Sequence, residues 1–109
     1  MTAVWRAQEH EESGVRVLKL EGELDLSVAG DFEREIIRSL DRAADGVCID
    51  LTEVSYLDSS SVRALLRASE AADDTGKKLR VTGASGVTRR VLELTGVDEV
   101  LGLEPLEPN

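Results

Sequence analysis

The stretch "VCIDLTEVSYLDSSSVRALL", residues 47–66, contains a strand, a polar turn and the start of a helix. The apolar run "GVCIDL", residues 46–51, is short and rich in β-branched side chains, which predicts a strand buried on both faces. After "DSSS", the inner face of a helix is indicated at intervals of three and four positions by Val62, Leu65, Leu66, Ser69 and Ala72. This helix is predicted to run to about Thr75, with Gly76 supplying its left-handed end.

The segments before this stretch predict two more strands and a helix. Residues 15–20, "VRVLKL", alternate between apolar and basic side chains, which predicts a half-buried strand that ends in the turn "EGELD". An earlier strand in "AVWRA" is predicted to pair with it through the polar turn "QEHEESG". Residues 28–42 carry apolar side chains at every fourth position and predict an amphipathic helix on the sheet, capped by Ser27 or Asp25.

The remaining residues continue this alternation. "KLRVTG" predicts a strand, and "SGVTRRVLELTG" predicts a third helix that begins at Ser85 and ends at Gly96, with an inner face formed by Val87, Val91 and Leu94. A short strand at residues 100–103 and a proline-containing tail at residues 104–109 follow. The pattern predicts one α/β domain over residues 1–109, whose later strands are parallel and joined by right-handed crossovers.

Composition narrows the possible partners. The 109 residues carry 22 acidic and 13 basic side chains, for a net charge of -9, which opposes a nucleic-acid backbone and is typical of a soluble acidic surface. The lone Cys48 can form no internal disulfide and no thiol metal cluster, which indicates a reducing, cytoplasmic location. We expect no membrane insertion and no processing, because no transmembrane-length apolar segment or signal-peptide layout is present.

Catalytic and metal motifs are weak in this chain. Ser59 lies between a strand and a helix, as nucleophiles often do, but the only histidine is His10 in the polar N-terminal segment, and the glycines of a nucleophile elbow are absent. "GASGVTRR" lacks the lysine of a phosphate-binding loop, so Ser85 is interpreted as the start of a helix. We therefore expect no enzyme activity, no cofactor and no metal site.

The motif "DSSS" allows two interpretations. Asp58, Ser59 or Ser60 could accept hydrogen bonds from the first backbone N–H groups of the helix, but a cap does not need three serines. The same N–H groups and the helix dipole would also accommodate a phosphoryl group on Ser59. Repulsion from Asp58 and other carboxylates would then suit a reversible switch in which added charge weakens a docking surface.

These residues resemble the STAS domain of anti-sigma factor antagonists. "VCIDLTEVSYLDSSSVRALL" is similar to the centre of that domain, "LEGELDLSVAGDF" to its Gly-Glu-Leu-Asp turn before the first helix, and "VLELTGVDEVL" to its closing segment. The resemblance covers residues 15–103. It implies a small mixed sheet of four to five strands with about three helices packed mainly on one side.

The resemblance also implies partner switching. The unphosphorylated antagonist binds an anti-sigma factor that is a serine kinase and so frees a sigma factor. ATP-dependent phosphorylation abolishes binding, and a metal-dependent serine phosphatase restores it. By motif position the phosphoacceptor is Ser59, Asp25 and Asp58 contact the partner, and Ser60 is a neighbouring helix cap. Capping by Asp25 is compatible with this role.

Two departures from the family pattern bear on this expectation. Ser61 stands where the family usually has glycine, so it is expected to add a side chain to the docking face and to hinder close approach of a partner. Ser60 and Ser61 also remain competing acceptors. The prolines of "EPLEPN" replace a further amphipathic helix, which would leave part of the sheet uncovered or paired with another chain.

Two other function classes stay open. A non-switching STAS scaffold, such as the cytosolic subunit of a lipid-transport ATPase or part of a signalling complex, needs the fold but no phosphorylation, and Ser61 favours it. An enzyme is the third class and would require turnover that depends on Ser59.

Overall fold

A computed structural model describes residues 5–96. The elements are β1 (Trp5–Glu12), β2 (Val15–Leu24), α1 (Leu26–Arg42), β3 (Gly46–Leu57), α2 (Ser59–Asp74), β4 (Lys78–Thr82) and α3 (Gly86–Leu94). The strands form one sheet in the order β1-β2-β3-β4, in which β1 is antiparallel to β2 and the other pairs are parallel. This confirms the mixed α/β sheet. The predicted strand at 100–103 and the tail lie outside the described residues.

The hairpin between β1 and β2 is tighter than expected. β1 continues through most of the segment predicted as a turn, and only Ser13 and Gly14 connect the two strands. Both residues have positive φ, 52° and 87°, as a two-residue hairpin turn requires. Polar side chains misled the prediction, because β1 is an edge strand that exposes most of them to solvent.

The core lies between one face of the sheet and the helices. Leu18 and Leu20 of β2 and Val47 and Ile49 of β3 are buried, while Cys48 and Asp50, on the other face of β3, are only half-buried. The expectation that β3 is buried on both faces is therefore wrong. The helices α1 and α2 bring further core side chains, the largest of which are Phe32, Ile36 and Leu65.

The unequal lengths of the strands position the candidate site. β4 pairs with β3 only as far as Asp50, whereas β3 continues to Leu57 alongside β2. β2 itself runs to Leu24 instead of ending at the predicted "EGELD" turn, and register shifts near Glu21 and Gly22 accommodate the extension. As a result, the carboxyl ends of two parallel strands lie level with each other.

The inner face of α3 differs from the prediction. Thr88 and Leu92 are buried, whereas Val87 and Leu94 are 63% and 74% exposed. The error arose because Thr88 is polar, yet its hydroxyl is satisfied locally: it donates to the Ser85 carbonyl at 2.8 Å and accepts from the Ser85 N–H at 3.3 Å. A buried side chain whose hydrogen bonds are made at a helix start does not show in an apolar pattern.

Candidate functional site

Two aspartates occupy equivalent places at the ends of the parallel strands. Asp25 is the single residue between β2 and α1, and Asp58 is the single residue between β3 and α2. Their backbones are almost the same, with φ and ψ of -116° and -174° for Asp25 and -113° and -178° for Asp58. Because Leu24 and Leu57 pair in register, the N-termini of the two helices lie side by side.

Asp25 caps α1. Its Oδ1 atom accepts from the backbone N–H of Ser27 at 3.0 Å and from the Ser27 hydroxyl at 2.6 Å. This confirms a cap at Asp25, while Ser27 donates to the cap instead of forming it. The Oδ2 atom of Asp25 has no such bond among the described residues, so it can accept a hydrogen bond from a partner.

Asp58 caps both helices. Its Oδ1 atom accepts from the Ser61 N–H at 3.0 Å, which caps α2. Its Oδ2 atom accepts from the N–H of Leu26 at 3.1 Å, and Leu26 is the first residue of α1. One carboxylate therefore satisfies a free donor at each of two helix starts.

The three serines of "DSSS" point in different directions. They are the first three residues of α2, and successive helical residues are rotated by about 100°. Ser59 is exposed, Ser60 is half-buried, and Ser61 is fully buried. Of the three serines, Ser59, directly after Asp58, is therefore the one exposed to solvent.

Two expectations about these serines are corrected. Ser60 is not the helix cap, because Asp58 fills that role. Ser61 does not stand in the way of a partner, because its Oγ atom points inward and donates to the carbonyl of Leu24. The buried Ser61 side chain is also unavailable for direct contact, which removes it from the predicted partner-binding residues and from the competing acceptors.

Two exposed apolar side chains flank the site, and the sequence interpretation did not include them. Leu26 is 74% exposed although its backbone N–H bonds to Asp58, and Tyr56 is 45% exposed two residues before Asp58. Leu26 could have been identified from the sequence, since it lies two positions before Val28 and outside the apolar stripe of α1. Aromatic and other apolar side chains are enriched at the cores of protein interfaces, so Tyr56 and Leu26 are candidates for contact with a partner.

The only histidine of the chain, His10, lies far from Ser59. His10 bonds to Glu12 at 2.6 Å and pairs with Val17, which in turn pairs with Cys48. Cys48 lies nine residues before Leu57 on β3. His10 is therefore separated from the Ser59 end of this strand by roughly 30 Å. Within residues 5–96, no group of three His, Cys, Asp or Glu side chains is placed to hold a metal ion.

The described helices also bear on the membrane prediction. None of those within residues 5–96 has both the length and the apolar character needed to cross a bilayer.

Comparison with known proteins identifies the family. A family profile described as "Mlab, STAS domain" matches residues 7–105. The chain belongs to the STAS domain family. The expected family and fold are thereby confirmed, since the profile covers most of the chain and the mixed sheet agrees with solved members.

Relatives within this STAS family carry consistent names. The chain is 32% identical over 93 residues to the anti-sigma-F factor antagonist RsfB of Mycobacterium tuberculosis, covering 85% of this chain and 75% of RsfB. It is 25% identical over 84 residues to an anti-sigma-B factor antagonist of Staphylococcus epidermidis, covering 77% and 78% of the two chains. The crystal structure of an anti-sigma factor antagonist from Mycobacterium paratuberculosis superposes with a TM-score of 0.82 at 28% identity, covering 94% of this chain and 87% of that one.

Proposed function

We propose that this STAS protein is an anti-sigma factor antagonist whose partner is an anti-sigma factor with serine kinase activity. In the unphosphorylated state it binds this kinase and so frees a sigma factor. Phosphorylation of Ser59 ends the binding, and a serine phosphatase restores it. The names of the relatives support the general role, and the contrasting exposure of the three serines supports the choice of Ser59.

The position of Ser59 suits a switch that leaves the fold intact. Because Asp58 already caps α2, the Ser59 hydroxyl is not needed to hold the first turn. A phosphoryl group on it would add about 1.5 to 2 negative charges near the positive ends of two helices. The domain can therefore tolerate the modification without unfolding.

The same charge would oppose docking. A partner that packs against Ser59 would have to remove water from a dianion beside the carboxylates of Asp25 and Asp58, and burial of unpaired charge is costly. A kinase surface that presents cations or N–H donors to these aspartates and an apolar recess to Leu26 would fit the unphosphorylated site. We assign Asp25, Asp58, Ser59 and Ser60 to this contact surface.

The proposed role requires no catalysis by this protein and no cofactor held by it. The phosphoryl group comes from ATP bound to the kinase, and the STAS domain is only the acceptor. A cytoplasmic location and the absence of direct nucleic-acid contact belong to the same proposal, in keeping with the lone Cys48 and the net charge of -9.

The scaffold alternative loses its main support. Ser61 favoured it on the expectation that this side chain crowds the docking face, but the side chain is buried. We therefore argue only the switching function, and the scaffold remains an outcome of its test.

The test is an affinity pull-down from native cells with three forms of the protein: wild type, Ser59→Asp and Ser85→Asp. The control adds the same charge at the start of another helix, at an exposed serine. We expect wild type and Ser85→Asp to retain an ATP-binding serine kinase. The amount of this kinase recovered with Ser59→Asp should be lower by about tenfold or more. Equal recovery by all three forms would instead indicate a scaffold.

A second measurement locates the modification. Incubation of the retained kinase with ATP should phosphorylate wild type and Ser60→Ala at Ser59, and mass spectrometry should find no phosphate on Ser59→Ala. Phosphate on Ser60 of the wild-type protein would contradict the assignment. Ester or nucleotide turnover by the pure protein that is lost in Ser59→Ala would revive the enzyme class.

A further inference from the structure

Ser61 makes a contact that none of the functions above uses. Its side chain is fully buried at the third position of α2, and its Oγ atom donates to the Leu24 carbonyl at the end of β2. The same Oγ atom lies 3.2 Å from Oδ1 of Asp58. Ser61 thus contacts both the carboxylate that caps two helices and the strand that precedes the other helix.

Three hydrogen bonds connect the two strand-to-helix junctions. The Asp58 N–H donates to the Leu24 carbonyl at 3.4 Å, the Ser61 hydroxyl donates to the same carbonyl, and the Leu26 N–H donates to Asp58 Oδ2 at 3.1 Å. The first is long for such a bond. The Ser61 hydroxyl is therefore the stronger link between α2 and the end of β2, and its single proton, shared with Asp58 Oδ1 as the weaker acceptor of a bifurcated bond, also orients that carboxylate.

We propose that Ser61 is a positioning residue that fixes Asp58 and, through it, the start of α1, so that Ser59 and Leu26 are presented to the partner as one preformed surface. This inference rests on the proposed function for its consequence in binding. Ser61 itself contacts neither the partner nor the phosphoryl group, because it is buried. Ser61 would raise the affinity by holding the docking surface in its bound conformation before the partner arrives, which lowers the entropic cost of binding.

Removal of the hydroxyl isolates this effect. In Ser61→Ala, the Leu24 carbonyl would keep only the 3.4 Å bond, and Asp58 Oδ1 would lose its contact with the hydroxyl but keep the bond from the backbone N–H of residue 61. Alanine retains the Cβ atom and favours helix, so α2 should still form. A control is Ser69→Ala, because Ser69 is also a buried serine of α2 but is remote in sequence from the junction.

The first measurement uses the free protein and needs no partner. Amide hydrogen exchange of Leu26, followed by NMR, should be about threefold to tenfold faster in Ser61→Ala, because loss of a buried hydrogen bond changes a local equilibrium by that order. The amide of Ser27 is an internal control, since it bonds to Asp25 in the same turn of α1. Equal acceleration of both amides, no acceleration, or the same result in Ser69→Ala would overturn the positioning role.

The second measurement concerns binding and phosphorylation. With the kinase recovered by wild type, Ser61→Ala should weaken the Kd about threefold to tenfold and raise KM for phosphorylation of Ser59 while kcat stays unchanged. A fall in kcat at constant KM, or an unchanged Kd, would overturn the link to docking. If wild type retains no kinase, the proposed function fails, and the exchange of the Leu26 amide alone decides whether Ser61 positions the junction.

Discussion

Glu9 connects the edge strand to the end of α1, and its replacement by glutamine tests how much that connection stabilises the fold. Its side chain is only 15% exposed. Its Oε2 atom accepts from Arg16 and from the Ser39 hydroxyl, and its Oε1 atom accepts from Arg42 at 2.6 Å. Glu9→Gln keeps the shape of the side chain, removes its charge and leaves two arginines without a carboxylate at this point.

The expected loss of stability in Glu9→Gln lies between that for breaking a surface ion pair and that for breaking a buried one. Burial alone would raise the pKa of Glu9, but hydrogen bonds from Arg16 and Ser39 and the charges of Arg16 and Arg42 lower this pKa below its ordinary value. Hydrogen bonds to charged groups contribute about 1.5–3 kcal/mol, and exposed ion pairs contribute about 0–1 kcal/mol. For this partly screened group we expect a decrease of about 1–2 kcal/mol in the free energy of unfolding, or roughly 4–10 °C in Tm.

The sign of the pH dependence follows from the lowered pKa. A carboxylate whose folded-state pKa lies below its unfolded value contributes stability above the unfolded value and loses it as the pH falls through the folded value. The ordinary pKa of this group is 4.5. The difference in stability between wild type and Glu9→Gln should therefore be constant near neutral pH and shrink as the pH falls below about 4.5.

Urea unfolding followed by circular dichroism at a series of pH values measures this difference. The matched control is Glu11→Gln, since Glu11 also contacts Arg16, but at 3.3 Å and with 54% of its side chain exposed. Glu11→Gln should lower the free energy of unfolding by less than about 0.5 kcal/mol. A Glu9→Gln protein as stable as the control, or a difference that does not shrink in acid, would refute the reasoning.

Four other substitutions test the packing around the site and core. Asp58→Ala should lower the free energy of unfolding by about 2 kcal/mol and Asp25→Ala by about 1 kcal/mol, measured by thermal unfolding, because only Asp58 caps two helices. Equal losses would contradict the double cap. Gly83→Ala should lower the free energy of unfolding in urea by about 2–3 kcal/mol. The φ of 80° disfavours a side chain, and the added Cβ would lie 2.9 Å from a backbone nitrogen of β3. An unchanged stability would contradict this geometry. Phe32→Leu should cost about 1 kcal/mol and alter the emission of Trp5, the only tryptophan, whose ring centroid lies 6.4 Å away edge-on; unchanged emission would argue against that contact.

Local patterns were sufficient to predict most of the elements. The helical spacing from Val62 to Ala72 and the glycine at position 76 predicted α2 and its end, and Gly76 has a φ of 73° as a left-handed terminus requires. The alternation of strands and helices predicted the parallel arrangement of β2, β3 and β4. The helical features are short-range, because they depend on side chains within a few residues of each other, whereas the parallel arrangement follows from the order of the elements along the chain.

The errors fall where a hydrogen bond that hydrophobic periodicity does not reveal decides the structure of a segment. β1 is a strand despite its polar sequence because β2 supplies its hydrogen bonds, and α3 buries Thr88 because the hydroxyl is satisfied by Ser85. The composition of these segments resembles that of a turn and of a solvated helix face. Pairing partners and local hydroxyl contacts are not encoded in hydrophobic periodicity.

The candidate site shows the same division between sequence and tertiary structure. The sequence by itself determined that an aspartate and three serines begin a helix after a strand, and that another aspartate begins the preceding helix. Only the tertiary structure decided that Asp58 serves both helices, that Ser59 is open to a partner and that Ser61 is buried against Leu24. The physical reason is that residues more than thirty positions apart meet only because two parallel strands end at the same level, and no local pattern specifies that meeting.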